Sequence, residues 1–182
     1  MQYWASSRTT VVAAFLLLAS ALSAPAQIPL GSEFRVDTSG FATQFFNATH
    51  HSLAMAPNGE FVVAWFKNDP GNGDVMARRF DAAGSAQGAE IVVNTYTTGL
   101  QFNQAIGMEG AGNFVVVWTS EFQNGNDIGV FGQRFDRSGA RRGTEFQVSG
   151  ASTVQFQPSL AVAAGGDFVV VWLGGDGDSW GI

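Results

Sequence analysis

The side chains best suited to chemistry are acidic residues in glycine-containing stretches that follow three tryptophans. Hard cations such as calcium prefer several oxygen ligands on a flexible loop of this kind. The segment Asp176-Gly177-Asp178-Ser179-Trp180-Gly181 matches the beginning of a calcium loop, although Trp180 stands at a ligand position. These stretches therefore provide five candidate metal ligands: Asp69, Asp74, Asp127, Asp176 and Asp178.

The same stretches also fit a purely structural role. Asp, Asn and Gly are the residues that tight hairpin turns use, because they tolerate unusual backbone angles or hydrogen-bond their own backbone. We therefore expect no obligatory cofactor. Calcium is the one ion that the sequence leaves open.

The histidines and the catalytic motifs give little sign of an enzyme. His50 and His51 are adjacent, so on a strand they would point to opposite faces and could not both bind one metal ion. The sequence contains neither a Gly-x-Ser-x-Gly nucleophile motif nor a His-Glu-x-x-His zinc motif. We expect no catalytic residues.

Two arginines suggest a carboxylate-binding cluster, but each has a simpler partner. Arg79 precedes a turn that leads to Glu90, and Arg134 precedes a similar turn that leads to Glu145. Opposite charges on neighbouring strands commonly pair. The sequence thus predicts two cross-strand ion pairs.

These residues lie among three near-copies of one phrase. The copies run from Gly59 to Trp65, from Gly112 to Trp118 and from Gly166 to Trp172, and their tryptophans are 53 and 54 residues apart. A fixed period of this size indicates a repeat architecture whose units pack on one another.

The repeated phrase is apolar on both sides of a strand. In the second copy, Phe114, Val116 and Trp118 would face one way, and Val115 and Val117 the other. A strand buried on both faces needs a layer on each side, and the neighbouring repeats are the available layers. The predicted repeat core consists of Phe61, Trp65, Phe114, Trp118, Phe168 and Trp172.

Two further phrases complete each unit. A Gly-x-Glu phrase with alternating apolar residues indicates a half-exposed strand, and Arg-Phe-Asp-x-x-Gly places Asp and Gly at the ends of a turn. We predict an all-β fold of four-stranded antiparallel, blade-like repeats, forming a partial β-propeller or an open stack. The predicted boundaries are a strand phrase at 31–37, repeats at 41–94 and 95–149, and an incomplete repeat at 150–182.

The order of the phrases suggests that the stack is cut short. The chain opens with the phrase that ends each unit and stops where a third strand would begin. We expect a truncated repeat array. The alternative is a natural three-unit protein that associates with itself to finish the stack.

The N-terminus predicts export. Arg8 precedes an apolar run from Val11 to Leu22, and small residues follow it, which is typical of a signal peptide over residues 1–26. A membrane anchor is the alternative, but the run is shorter than the roughly 20 residues that span a bilayer. We expect residues 27–182 to be secreted or displayed at the cell surface, with no membrane span after signal removal.

Charge and cysteine content exclude some classes of partner and of metal site. The chain carries 9 basic and 15 acidic residues, and clustered cations are what nucleic-acid binding requires, so we expect no nucleic-acid partner. The chain has no cysteine, so disulfides and thiolate metal sites are excluded.

The three phrases together resemble repeats of large secreted and surface proteins of bacteria, whose units are similar to propeller blades. The resemblance extends from Gly31 to Ile182 and implies a non-catalytic architecture outside the cell, sometimes beside calcium-binding or adhesion modules. The hypothesis is an exported binding or scaffolding module whose partner, a protein or a glycan, is unknown. The alternatives are a calcium-stabilised structural repeat of a larger surface protein and a propeller-type glycoside hydrolase.

Overall fold

The computed structural model describes residues 33–38, 43–45, 52–69, 72–125, 128–150, 154–175 and 180–181. The chain divides into two units, Met1–Glu33 and Phe34–Ile182, and all of the strands belong to the second. The described residues form an all-β structure without helices, as the sequence predicted. They accordingly include no helix that is long and apolar enough to cross a membrane. The predicted signal peptide lies outside the described residues.

The strands form three antiparallel sheets, one for each copy of the repeated phrase. The first sheet contains β1 (Thr43–Phe45), β2 (Leu53–Met55), β3 (Phe61–Asp69), β4 (Asn72–Phe80) and β5 (Ile91–Val92). The second contains β6 (Gln101–Met108), β7 (Phe114–Glu121), β8 (Ile128–Phe135) and β9 (Arg141–Gln147). The third contains β10 (Gln155–Val162), β11 (Phe168–Gly175) and β12 (Trp180–Gly181).

The first sheet has one strand more than the sequence predicted. Both β1 and β2 pair with β3, β1 at Phe66–Asn68 and β2 at Phe61–Val63, while β4 pairs with β3 along the other edge. Two short strands thus occupy the place that β6 fills alone in the second sheet. In the second sheet the strand is continuous, and only a bulge between Phe102 and Ala105 interrupts its pairing with β7.

The turn between β8 and β9 follows the sequence prediction. The N–H of Gly139 donates to the carbonyl oxygen of Asp136 at 2.9 Å, and Asp136 Oδ1 accepts hydrogen bonds from the N–H groups of Ser138 and Ala140. Gly139 has a φ of 87°, which explains why glycine stands there. The hydrogen bond from the Ser138 hydroxyl, followed by that from the Ala140 N–H, holds the pKa of Asp136 below its usual value.

The second sheet is packed on both faces. Phe114, Val116 and Trp118 lie in a cluster with Val62 and Ala64 of the first sheet. On the opposite face, Val115 and Val117 pack with Leu160 of β10, and β11 contributes partly buried residues to the same cluster. The predicted alternation of β7 is therefore present, and the three sheets form a stack in chain order.

The third sheet is packed on one face only. The side chains of Val169 and Val171 are 66% and 49% exposed, whereas the equivalent Val115 and Val117 are buried. The expectation that both faces are covered therefore fails for the third copy, because no described sheet lies beyond it. Among the predicted core residues, Trp65, Phe114 and Trp118 are buried, and Phe61, Phe168 and Trp172 are half-buried.

Candidate functional site

The candidate metal ligands are mostly outside what the structure describes. Asp127, Asp176 and Asp178 lie outside the described residues, as do His50 and His51, and Asp69 is described only as part of β3. Asp74 accepts a hydrogen bond from Asn94 Nδ2 at 2.7 Å. No group of three or more acidic, histidine or cysteine side chains that could hold a metal occurs in the described part of the chain. The calcium hypothesis stays a prediction.

Asp74 instead belongs to a structural contact. While Asp74 orients one end of the Asn94 amide, Asn94 Oδ1 accepts the N–H of Val75 at 2.9 Å. In the second sheet, Ser149 Oγ accepts the N–H of Val130 in the same way, also at 2.9 Å. The residues that end the second and third Gly-x-Glu phrases, Asn94 and Ser149, thus each satisfy a backbone N–H near the start of β4 or β8.

The two predicted ion pairs do not form. Arg134 lies opposite Arg142 in the register of β8 and β9, so Glu145 is out of line with it. The guanidinium of Arg134 lies instead over the rings of Phe146 and Phe168, 4.5 Å and 4.9 Å from their centroids. In the first sheet, Arg79 donates to the carbonyl oxygen of Ser138 at 2.7 Å. Both arginines are therefore directed toward the following sheet.

Each of the two glutamates contacts the threonine that follows the preceding Gly-x-Glu phrase. Glu145 Oε2 accepts hydrogen bonds from the N–H and the hydroxyl of Thr95, at 2.7 Å and 3.0 Å. Glu90 Oε1 accepts the same two bonds from Thr38, at 2.5 Å and 2.8 Å. We call this the Thr–Glu clasp. It links the threonine that directly follows one Gly-x-Glu phrase to the glutamate of the next Gly-x-Glu phrase.

In the first junction, between the first and second sheets, the turn between β8 and β9 contacts the first sheet. Ser138, in the turn Asp136–Gly139, accepts the bond from Arg79 described above. Next to it, the Arg137 guanidinium lies 3.5 Å from Glu60 Oε2, and the Arg137 N–H donates to Asn113 Oδ1 at 3.0 Å. Two polar contacts, from Arg79 and Glu60 of the first sheet, thus hold the outer turn of the second sheet in this junction, and Asn113 of the second sheet itself adds a third bond to the turn.

The second junction, between the second and third sheets, has the corresponding positions but no turn. One unit further along, Glu60, Arg79 and Asn113 correspond to Asn113, Arg134 and Asp167. No described residue of the third sheet stands where Asp136–Gly139 stands in the first junction. The place is an open cleft of about 720 Å³, lined by Glu109, Asn113, Arg134, Arg142, Gly143, Gly165, Gly166 and Asp167.

The cleft is polar and carries both signs of charge. Arg134 and Arg142 supply donors, and Asp167 supplies an exposed carboxylate that makes no side-chain hydrogen bond to the described residues. Glu109 accepts a hydrogen bond from the Asn113 side-chain amide. The Glu109 carboxylate also lies so close to Gly166 that a Cβ atom at position 166 would collide with it. These groups can bind backbone or hydroxyl donors and acceptors. The eight lining residues include no serine, cysteine or histidine.

Beside the cleft, one edge of β11 is unpaired. β11 pairs with β10 along one edge, but with β12 only at Gly174 and Gly175. From Phe168 to Leu173, no described strand pairs with the other edge. In the sister sheets this edge carries β4 and β8 along its length. We call the open edge of β11 together with the exposed Val169 and Val171 the third-sheet surface, and the cleft lies beside it, on the face of the third sheet that packs against the second.

Comparison with known proteins leaves the family open. No family model matches the chain, and no curated protein matches it. Among solved structures, the chain resembles the endo-arabinase from Bacteroides thetaiotaomicron VPI-5482, with 10% identity and a TM-score of 0.47. The match covers 71% of this chain and 52% of the endo-arabinase chain, so this chain spans about half the length of that enzyme. At this score the likeness carries no argument about activity.

Sequence reasoning missed the Thr–Glu clasp. The signal is a threonine directly after the Gly-x-Glu phrase, present as Thr38 and Thr95 and replaced by Gly150 in the third position. Sequence reasoning also missed that Ser138 lies against the preceding unit. Neither contact is between residues close in the chain, so neither follows from the local pattern.

Proposed function

We propose that this protein is an exported, non-catalytic module for binding or scaffolding, and that the third-sheet surface is where it binds. The observation that supports the proposal is a difference between equivalent positions. Val115 and Val117 are buried in the second sheet, whereas Val169 and Val171, which occupy the same places in the third, are largely exposed.

An exposed surface of this kind is unusual unless something covers it. An unpaired strand edge presents backbone N–H and C=O groups to any extended chain, and natural proteins normally protect such edges. β11 combines an open edge with two exposed valines and carries no charged residue from Phe168 to Gly175. These properties favour a surface that is covered by a partner.

The contacts made by the remaining charged side chains favour a structural and binding role over catalysis. Glu90 and Glu145 are used in the Thr–Glu clasp, and Arg79 binds a backbone carbonyl. The groups that remain to bind a ligand are the guanidinium groups of Arg134 and Arg142 and the carboxylate of Asp167, which line the cleft. Their hydrogen-bonding capacity suits a protein backbone or a glycan. Export rests on the signal-peptide pattern of residues 1–26.

The test compares two pairs of exposed apolar residues. The purified chain is screened on arrays of glycans and extracellular proteins, together with the double variants Val169→Asp/Val171→Asp and Leu53→Asp/Met55→Asp. Leu53 and Met55 are also exposed, at 50% and 59%, but lie on the first sheet. We expect the third-sheet variant to bind a detected ligand roughly tenfold or more weakly, since burying a valine contributes about 1.5–3 kcal/mol.

The control variant is expected to bind as the unaltered chain does. If the folded chain bound nothing on either array, or if the third-sheet variant bound as tightly as the control, the proposed function would be wrong. Circular dichroism of each variant establishes that the sheets are intact.

A further inference from the structure

We propose that Asn58 is a modification site, at which the side-chain amide is converted to a carboxylate after attack by the backbone nitrogen of Gly59. The site lies in the turn between β2 and β3 and does not depend on the third-sheet surface. The chain contains three Asn–Gly pairs, 58–59, 72–73 and 124–125. Because glycine has no Cβ to obstruct the approach of its own nitrogen, all three pairs are candidates by sequence. The structure distinguishes them.

The reaction requires only water as a second reactant. The Gly59 nitrogen attacks Cγ of the Asn58 amide and forms a new C–N bond. The bond from Cγ to the amide nitrogen then breaks, and that nitrogen leaves as ammonia with the proton that the Gly59 nitrogen loses. Water opens the resulting succinimide ring at either of its carbonyl groups and gives aspartate or iso-aspartate.

The Asn58 side chain already has a hydrogen-bond donor on the oxygen that becomes negative. Asn58 Oδ1 accepts the N–H of Glu60 at 3.1 Å. When the Gly59 nitrogen adds to Cγ, negative charge develops on this oxygen, and a positioned backbone donor stabilises that charge more than it stabilises the neutral amide. The Asn58 residue is also exposed, so water can reach the succinimide.

The backbone of this turn can open without disrupting a strand. The N–H of Gly59 donates to the carbonyl oxygen of Ala56 at 2.9 Å, and this bond must break before the nitrogen attacks. Neither Gly59 nor Ala56 belongs to a strand, and Pro57 and Asn58 between them are exposed. Exposed turns with few buried contacts open at low free energy. The nucleophile is therefore available in the folded chain.

The pair 72–73 is held by strand pairing. Both residues belong to β4, where Asn72 lies opposite Asp69 and Gly73 lies opposite Asn68 of β3. Gly73 is buried, and the ring of Phe66 occupies the place where its Cβ would be. The Gly73 nitrogen therefore cannot move onto the Asn72 side chain unless the end of the hairpin opens.

The pair 124–125 lacks a donor on the amide oxygen. Neither Oδ1 nor Nδ2 of Asn124 makes a hydrogen bond to a described residue, and both atoms are buried. Asn124 also packs closely against Gly129, where a Cβ would lie 3.0 Å from Nδ2. This amide therefore receives neither the stabilisation of a developing oxyanion nor ready access to water.

Conversion of Asn58 would alter the first junction. A carboxylate at position 58 adds a negative charge near Glu60, whose own carboxylate lies 3.5 Å from the Arg137 guanidinium. The iso-aspartyl product also adds a methylene group to the main chain at residue 58. Both products therefore change the turn that places Glu60 in the junction.

The experiment follows all three pairs in the same sample. The purified full chain is incubated at mildly alkaline pH with and without concentrated urea, and its peptides are quantified by mass spectrometry and by enzymatic methylation of iso-aspartate. In the folded chain we expect Asn58 to convert roughly tenfold faster than Asn72 or Asn124, because one hydrogen bond to a developing charge contributes about this factor. In urea the three rates should become similar, since the contacts that distinguish the pairs are lost.

Two glutamine variants provide the matched comparison, because Asn58 and Asn72 are both exposed. The side chain of Asn58→Gln would have to form a larger ring, which closes more slowly, so iso-aspartate should disappear from this turn. Asn72→Gln should leave the rate at Asn58 unchanged. Circular dichroism of both variants establishes that the sheets are intact.

The inference is wrong if Asn72 or Asn124 converts as fast as Asn58 in the folded chain, or if Asn58 stays intact there while it converts in urea. A preference for Asn58 that persists in urea would also overturn it, since the neighbouring sequence rather than the folded turn would then be the cause.

Discussion

At the scale of single residues, Trp118 shows what the repeated tryptophan does. Its side chain is completely buried between the first and second sheets, and its Nε1–H donates to Gln101 Oε1 at 3.3 Å. Trp172 occupies the same place in the third sheet but is only half-buried. The same residue type in the same phrase therefore contributes differently in different units.

We predict that Trp118→Ala lowers the free energy of unfolding by about 3–5 kcal/mol, the usual cost of truncating a large buried aromatic side chain. Trp172→Ala should cost less, because that residue is only partly buried. Urea denaturation followed by circular dichroism measures both. Equal losses for the two variants would show that the third sheet is as tightly packed as the second.

The sequence could predict part of this difference but not all of it. The alternation of Phe114, Val116 and Trp118 with Val115 and Val117 follows from the period of two along a strand. The exposure of Val169 and Val171 does not, because the phrase is nearly the same in every copy. Burial depends on what lies against a face, and that is not a property of the phrase itself.

At the scale of elements, the Thr–Glu clasp joins units that are adjacent in the stack. Glu145 holds Thr95 by two hydrogen bonds, and Gln123 Nε2 donates to the other carboxylate oxygen. The carboxylate thus connects the exit of the first unit, a loop of the second and an outer strand. Hydrogen bonds to a charged group are about twice as strong as neutral ones.

A double-mutant cycle with Glu145→Ala and Thr95→Val tests the clasp. We expect a coupling energy of about 1 kcal/mol, because one of the two bonds comes from the hydroxyl that valine lacks and the pair is near the surface. Thermal unfolding of the four proteins gives the cycle. Additive effects would mean that the two side chains do not stabilise each other in solution.

The elements were largely predictable, and the contacts between them were not. Apolar runs and Asp-x-x-Gly turns indicate four strands in each unit, and the second sheet shows all four, whereas the first sheet has five and the described part of the third has three. The position of β1 and the register that places Arg134 opposite Arg142 depend on irregularities in pairing. Such irregularities leave no clear mark in one sequence, which is why the predicted ion pairs did not appear.

At the scale of the whole molecule, the stack is unevenly protected along its length. The second sheet has neighbours on both faces, and the third has one described neighbour and an open edge. Regions with few buried contacts and unpaired backbone groups open at low free energy. The third sheet should therefore be the least stable of the three.

Hydrogen exchange can measure this difference within single strands. We predict that the amides of Val170 and Trp172 exchange on the order of a hundredfold faster than those of Val116 and Trp118, which pair with β8. The amide of Val171 points to β10 and is the internal control, so it should exchange slowly. Equal protection of Val170 and Val171 would show that the open edge is covered in solution.

The Thr–Glu clasp has a consequence for how this chain can change in length. It uses the threonine that follows one Gly-x-Glu phrase and the glutamate of the next phrase, so an extra copy of residues 39–95, which carry Glu90 and Thr95, would arrive with both halves of its attachment. Residues 96–150 carry Glu145 but end in Gly150, so an extra copy of them would bring only one half. Duplication of residues 39–95 can therefore lengthen the stack with the clasp intact, whereas duplication of residues 96–150 would leave a joint that lacks its clasp.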